Sequence, residues 1–190
     1  TQTAMYHILE MLSRLMAPIL SFTADEIWQN IPGTRGESVF LSDFDAAPAL
    51  LPESDTFGDA FWQQVMAVKS AVNKELESKR AAKQVGAGLS AEVDLYCAPE
   101  LAATLSRLEE ELRFVLIVSR ASIQPIDQAP ETAASTELAA LRLSVAPSPH
   151  PKCERCWHHR EDVGSAPAHP GLCGRCVENI DADGEQRRFA

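Results

Sequence analysis

The sequence predicts a mixed α and α+β chain, helical at its start, α+β in its middle and closed by a small module that four cysteines organise. Three observations predict this. Apolar residues recur at helical spacing in the first segment, strict alternation sets in near residue 91, and Cys153, Cys156, Cys173 and Cys176 form a C-x2-C-x16-C-x2-C pattern.

The helical start is "AMYHILEMLSRLMAPILSFTADEIWQNIPG", in which Met5, Ile8, Leu9, Leu12, Leu15 and Met16 mark one face and so predict a core-facing stripe. Pro18 interrupts it, having no N–H to donate and a ring that clashes with the preceding turn. A second helix is expected from "TADE", with Thr23 as cap and Glu26 completing a capping box, and with Ile27 and Trp28 supplying core surface. Ile31 to Gly33 stops it, and "GTRGES" reads as loop.

The α+β part opens with a long helix over about 59–83, whose stripe runs Phe61, Val65, Val68, Val72, Leu76, Arg80. Glu75 and Lys79 make a favourable i,i+4 pair there, whereas Lys79 and Lys83 repel. "VGAGL" breaks the helix. "AEVDLYC" then alternates like a half-buried strand, "PELAATLSRLEEEL" has a proline start and helical spacing, "RFVLIVSRASI" is a β-rich run, and "ELAALRLSVAP" offers one more strand. Cys97, alone at the end of the first strand, reads as a small buried apolar residue. Residues 126–137, "IDQAPETAASTE", read as a flexible loop. "APSPHP", with three prolines in six residues, reads as a semi-stiff hinge.

Composition narrows the function. The chain has 190 residues, 45% of them apolar and 23% charged, and no apolar run approaches the roughly 18 residues of a membrane span, so no membrane partner is expected. No secretion signal is present, which makes the cytoplasm the expected location. A start at Thr-Gln-Thr, already inside a helical pattern, suggests a piece of a longer protein. The net charge of −10 argues against a general polyanion binder. The imbalance is uneven, however: residues 150–190 carry 6 Lys+Arg against 7 Asp+Glu, so a polyanion contact would have to be local.

The cysteine spacing is a zinc signature. Two residues between paired thiolates let both face one point, and two such knuckles close the tetrahedron that Zn²⁺ favours. Four thiolates leave no open position for water, so the expected zinc is structural, with His158, His159 and His169 as the residues able to replace a cysteine. "CERCW" and "CGRCV" each place arginine before their second cysteine and read as a pseudo-symmetric pair, with Gly174 easing the second turn. So few large apolar residues cannot fold a tail of this length alone, and metal binding would supply its folding free energy, on the order of 10 kcal/mol. Four thiolates and one Zn²⁺ leave a formal charge of about −2, which Lys152, Arg155 and Arg175 flank.

Trp157, His158, His159 and Arg160 follow the first knuckle. An aromatic ring and a guanidinium beside a rigid turn suit stacking of unpaired RNA bases and contact with phosphates; equally, Trp157 would pack over the metal as a miniature core. Arg187 and Arg188 beside Phe189 read either as a phosphate contact or as a solvated terminus.

These residues resemble a known family. "APILSFTADEIW" is similar to the anticodon-binding helical bundle of the class I aminoacyl-tRNA synthetases for isoleucine, valine and leucine. "VNKELESKRAAKQVGAGLSAEV" and "KCERCWHH…DVG…HPGLCGRCVENIDADGEQRRFA" resemble the segment after that bundle and the C-terminal zinc module of the bacterial isoleucine enzymes. The resemblance implies the end of an anticodon-binding bundle over 1–50, an α+β junction domain over 51–146 and a zinc-finger module over 147–190. It implies Cys153, Cys156, Cys173 and Cys176 as zinc ligands and tRNA(Ile) as partner, held at its anticodon end. Candidate contacts are Trp157, Arg160, Arg175, Arg187 and Arg188, with Lys79, Arg80 and Lys83 on the long helix. HIGH-like and KMSKS-like signatures are absent, so no catalytic residue is expected here. ATP, Mg²⁺, isoleucine activation and editing would belong to the remainder of the polypeptide, in a monomeric enzyme. Two other classes share the finger: a DNA-repair glycosylase C-terminus, which the −10 charge opposes, and a zinc-ribbon protein-interaction module.

Overall fold

Pro18 divides the first helical stretch into α1 (Gln2–Met16) and α2 (Ser21–Asn30). The computed structural model describes residues 2–44, 56–182 and 184–189, in two units, Thr1–Leu51 and Pro52–Ala190. The boundary expected at residues 50 and 51 lies outside the described residues.

In the first unit the turn after Met16 is so short that α2 begins at Ser21, with no side-chain cap at Leu20. Thr23 is therefore inside the helix, and the expected capping box is corrected. The stripe expected to face inward is corrected too, because Met5, Ile8, Leu9, Leu12 and Leu15 are exposed. The face that packs carries Tyr6, Ser13 and Ala17, whose small members let α2 approach closely; Ser13 Oγ satisfies itself on the Leu9 carbonyl at 2.8 Å. Trp28 is buried as expected, held between Arg14 and Arg35, with its N–H donated to the Gly36 carbonyl at 3.1 Å.

The second unit is built on α3 (Asp59–Ala81), and Phe61, Val65, Val68, Val72 and Leu76 of the expected stripe are buried, whereas Arg80 at its end is exposed. After a 3₁₀ turn at Gly88–Ser90 come β1 (Ala91–Cys97), α4 (Pro99–Ser106), α5 (Leu112–Leu116) and β2 (Arg120–Pro125). Then come β3 (Ala134–Ser135) and β4 (Leu141–Pro147). The sheet order is β2-β1-β4-β3, with β1 and β2 parallel across the α4–α5 crossover and the other pairs antiparallel. Val93, Leu95 and Cys97 of β1 and Leu141 and Leu143 of β4 share one core with α3. Burial pushes the Cys97 thiol up to about 11, in keeping with an inert apolar role.

Three sequence expectations change here. The run "RFVLIVS" is not strand at its start: Leu112 and Leu116 are drawn into the core as one helical turn, which closes at Ile117 in the left-handed region, φ 58°. Residues 126–137 are not a loose loop. They hold a 3₁₀ turn and β3, and Arg142 fastens them by donating to the carbonyls of Glu131 and Ala133. "APSPHP" is pinned rather than hinged: Pro147 still pairs with Ala91, the Ser148 N–H reaches the Ser90 carbonyl at 2.8 Å, and Ser148 Oγ donates to buried Glu92 at 2.7 Å.

Candidate metal centre

The tail leaves the sheet at Pro147 and folds back on itself at once. An antiparallel bridge pairs Lys152 with His159 across the first knuckle, whose last position, Trp157, lies in the left-handed region at φ 67°. The second knuckle runs straight into α6 (Gly174–Asp181). The two knuckles thus match in sequence but not in backbone, one closing a hairpin and the other opening a helix. Gly174 answers to a close approach rather than a strained turn. Its N–H donates to Asp162 Oδ2 at 3.0 Å, and a Cβ there would meet that oxygen at 2.9 Å.

The Sγ atoms of Cys153, Cys156, Cys173 and Cys176 all lie within 4.8 Å of one another, and none forms a disulfide. A tetrahedral zinc with bonds of about 2.3 Å separates its sulfurs by about 3.8 Å. Cys156 and Cys173 stand 3.7 Å apart, so the thiolates present fit the ion. Cys153, Cys173 and Cys176 are buried, with Val163 and Leu172 packed against them. Burial and the neighbouring Cys156 push the Cys173 thiol up, whereas at Cys153 the backbone N–H groups of Cys156, Cys173 and Arg155 outweigh burial and bring the thiol down. Arg155 Nη1 lies 3.8 Å from Cys176 Sγ, and the backbone N–H of Cys173 points at Cys153 Sγ at 3.4 Å. Bound there, zinc would supply folding free energy to the tail and no chemistry.

None of the three histidines joins the cluster. His158 is buried with its ring edge on Phe114, centroids 5.6 Å apart; burial, Arg113 and Arg175 push it down to about 4. His159 Nδ1 lies 2.7 Å from the His150 carbonyl oxygen, and His169 pairs with Asp181.

The candidate contact residues separate into two kinds. Trp157 is 60% exposed, with Lys152 Nζ 5.0 Å from its ring centroid, so it does not pack over the metal as a miniature core. Arg188 keeps its side chain exposed, while its N–H and that of Phe189 donate to Glu111 at 2.6 and 2.8 Å. Phe189 meets Phe57 at 5.0 Å, so the end of the chain is anchored rather than a solvated terminus. Arg175 and Arg187 share Glu185, at 2.9 and 3.1 Å, and both lie over the ring of Phe114. Arg160 lies 3.8 Å from Asp162. On α3, Lys79 pairs with Glu75 and Arg80 with Glu77, while Lys83 follows the helix at φ 58°. Sequence reasoning missed Phe114 altogether, because an aromatic inside a β-rich run carries no sign of the cations that gather on it.

Comparison with known proteins joins these parts. The sequence model of the anticodon-binding domain of tRNA ligases matches residues 1–95, half of the chain. The chain belongs to that family. A second model, described as a zinc finger found in FPG and IleRS, matches residues 151–179 and so covers all four cysteines. Proteins named isoleucine–tRNA ligase from Azotobacter vinelandii, Stutzerimonas stutzeri and Pseudomonas aeruginosa (strain UCBPP-PA14) are 58%, 56% and 55% identical to it over 189 residues. Each match takes in the whole of this chain and 20% of the relative, so the chain spans about a fifth of the length of the curated relatives it matches. Among the described residues of this family member, no helix is long and apolar enough to cross a membrane.

Proposed function

We propose that the chain is the tRNA-contacting C-terminal region of an isoleucine–tRNA ligase, a monomeric cytoplasmic enzyme that joins isoleucine to tRNA(Ile) with ATP. ATP, Mg²⁺, activation and editing belong to the rest of the enzyme, and this region contributes recognition at the anticodon end. The anticodon-binding family match over residues 1–95 and the names of the relatives support the ligase over the glycosylase reading, since the finger alone is shared by both.

Trp157 carries the RNA part of the reading. A bulky side chain in the left-handed region costs about 1–2 kcal/mol, and one left 60% exposed recovers little of that by burial. Its position is explained by a ligand that stacks on it: an unpaired base on the indole, with Lys152 placed for a phosphate. Arg160, Arg188, Lys79, Arg80 and Lys83 are proposed as further backbone contacts. Arg175 and Arg187, already engaged with Glu185 and Phe114, contribute to the local field more than to direct contact.

Filter binding of a tRNA(Ile) transcript to the zinc-loaded chain and to its Trp157→Ala variant tests this. Loss of one stacked base weakens affinity about tenfold, at 1–3 kcal/mol per base. Unchanged affinity removes Trp157 from the interface.

A further inference from the structure

One ring on the sheet domain touches both halves of the metal centre. Phe114, in the middle of α5, receives His158, two residues beyond Cys156, edge-on at 5.6 Å. It also receives the guanidinium of Arg175, which sits between Cys173 and Cys176, at 5.0 Å, and that of Arg187 from the chain's end at 4.2 Å. The His158 ring stays tied to the first knuckle, with Nδ1 3.3 Å from the Cys156 carbonyl oxygen. Arg175 is also held by Glu185 at 2.9 Å. Phe114 is only half-buried and lies outside the apolar core of the domain.

We propose that Phe114 is a positioning residue for the zinc centre, seating both knuckles on α5 so that metal loading and docking of the tail are one linked event. His158, Arg175 and Arg187 come from three separate stretches of the tail. They converge on a single ring only when the two knuckles have closed on each other, which is what the four thiolates do around a cation. Contacts that exist only in the closed state strengthen metal binding, and by reciprocity the metal strengthens the contacts. The inference rests on the zinc reading of the four cysteines.

Two measurements on the full chain test it. Zinc affinity is measured by competition with a chromophoric chelator for the native protein, Phe114→Leu and Phe114→Tyr. Leucine keeps the bulk but loses the ring, and is expected to weaken zinc about tenfold, whereas tyrosine stays within about twofold of native. Hydrogen exchange of the native chain, which involves no substitution, is expected to speed up across residues 112–119 when zinc is withdrawn, although no ligand lies there. Zinc affinity of Phe114→Leu within about twofold of native, or exchange at 112–119 indifferent to zinc, overturns the proposal. A native chain that takes up no zinc overturns the zinc reading itself, and the linkage with it.

Discussion

Ser119 accepts the backbone N–H of His159 on its hydroxyl oxygen at 2.7 Å, and thereby fastens the metal-bearing tail to the sheet domain at a fully buried point. The same hydroxyl donates to the Leu89 carbonyl at 2.5 Å. Ser119→Ala strands both partners, and leaving buried polar groups unsatisfied costs about 1–3 kcal/mol. Urea unfolding of the zinc-loaded variant should show that loss, and stability equal to native would show that the tail is not held there.

At Trp157 the proposed RNA contact can be tested apart from folding. Glycine at φ 67° relieves about 1 kcal/mol of backbone strain and gives back a similar amount in chain entropy, so Trp157→Gly should melt within a few degrees of native. Its affinity for tRNA(Ile) should nevertheless fall about tenfold. A loss of 3 kcal/mol or more, on the order expected for removing a core aromatic, would mean that Trp157 packs as a core after all.

Gly88 is demanded by proximity. A Cβ there would sit 2.7 Å from the carbonyl oxygen of Ile117, a backbone atom that cannot swing aside. Gly88→Ala should cost about 1–3 kcal/mol by overpacking. At Gly86 the nearest atom to an added Cβ is the Ser90 hydroxyl at 3.9 Å, so Gly86→Ala should leave the melting midpoint near native. Equal effects at the two positions would contradict the packing described.

Glu92 gives the stability a pH dependence. Burial works to raise its pKa, but Ser148, Arg120 and His150 outweigh it and hold the carboxyl below its ordinary value of 4.5. A lowered folded-state pKa means that the contribution is present above the unfolded value and lost as pH falls through the folded one. Glu92→Gln should therefore be less stable than native at pH 7, with the difference shrinking below about pH 4.5. Melting midpoints of both proteins between pH 7 and 3 check this; a gap constant with pH would remove Glu92 from the acid response.

What the residues disclose in order, and what they hide, follows from the range of the forces involved. The buried stripe of α3, the alternation of β1 and the metal ligands are local periodicities or spacings, and each is legible one residue at a time. The stripe on α1 was misleading because apolar spacing says that a face exists, not what covers it; Ser13 and Ala17 are chosen by how close α2 must come. The helical turn at 112–116 overrides a β-rich composition because Leu112 and Leu116 gain more from the core than from pairing as strand. Phe114, Glu111 and Ser119 were silent for a different reason. Their partners, Arg187, Phe189 and His159, lie 40 or more residues away, and only the fold brings them together.

The most direct measurement is the metal content and ligand field of the chain purified under reducing conditions. One zinc per chain by elemental analysis, and a cobalt-substituted protein with the intense visible bands of a tetrahedral four-thiolate site, is the predicted result. A tail that folds without metal, or one whose Cys153, Cys156, Cys173 and Cys176 are found paired as disulfides by mass spectrometry, would contradict the account.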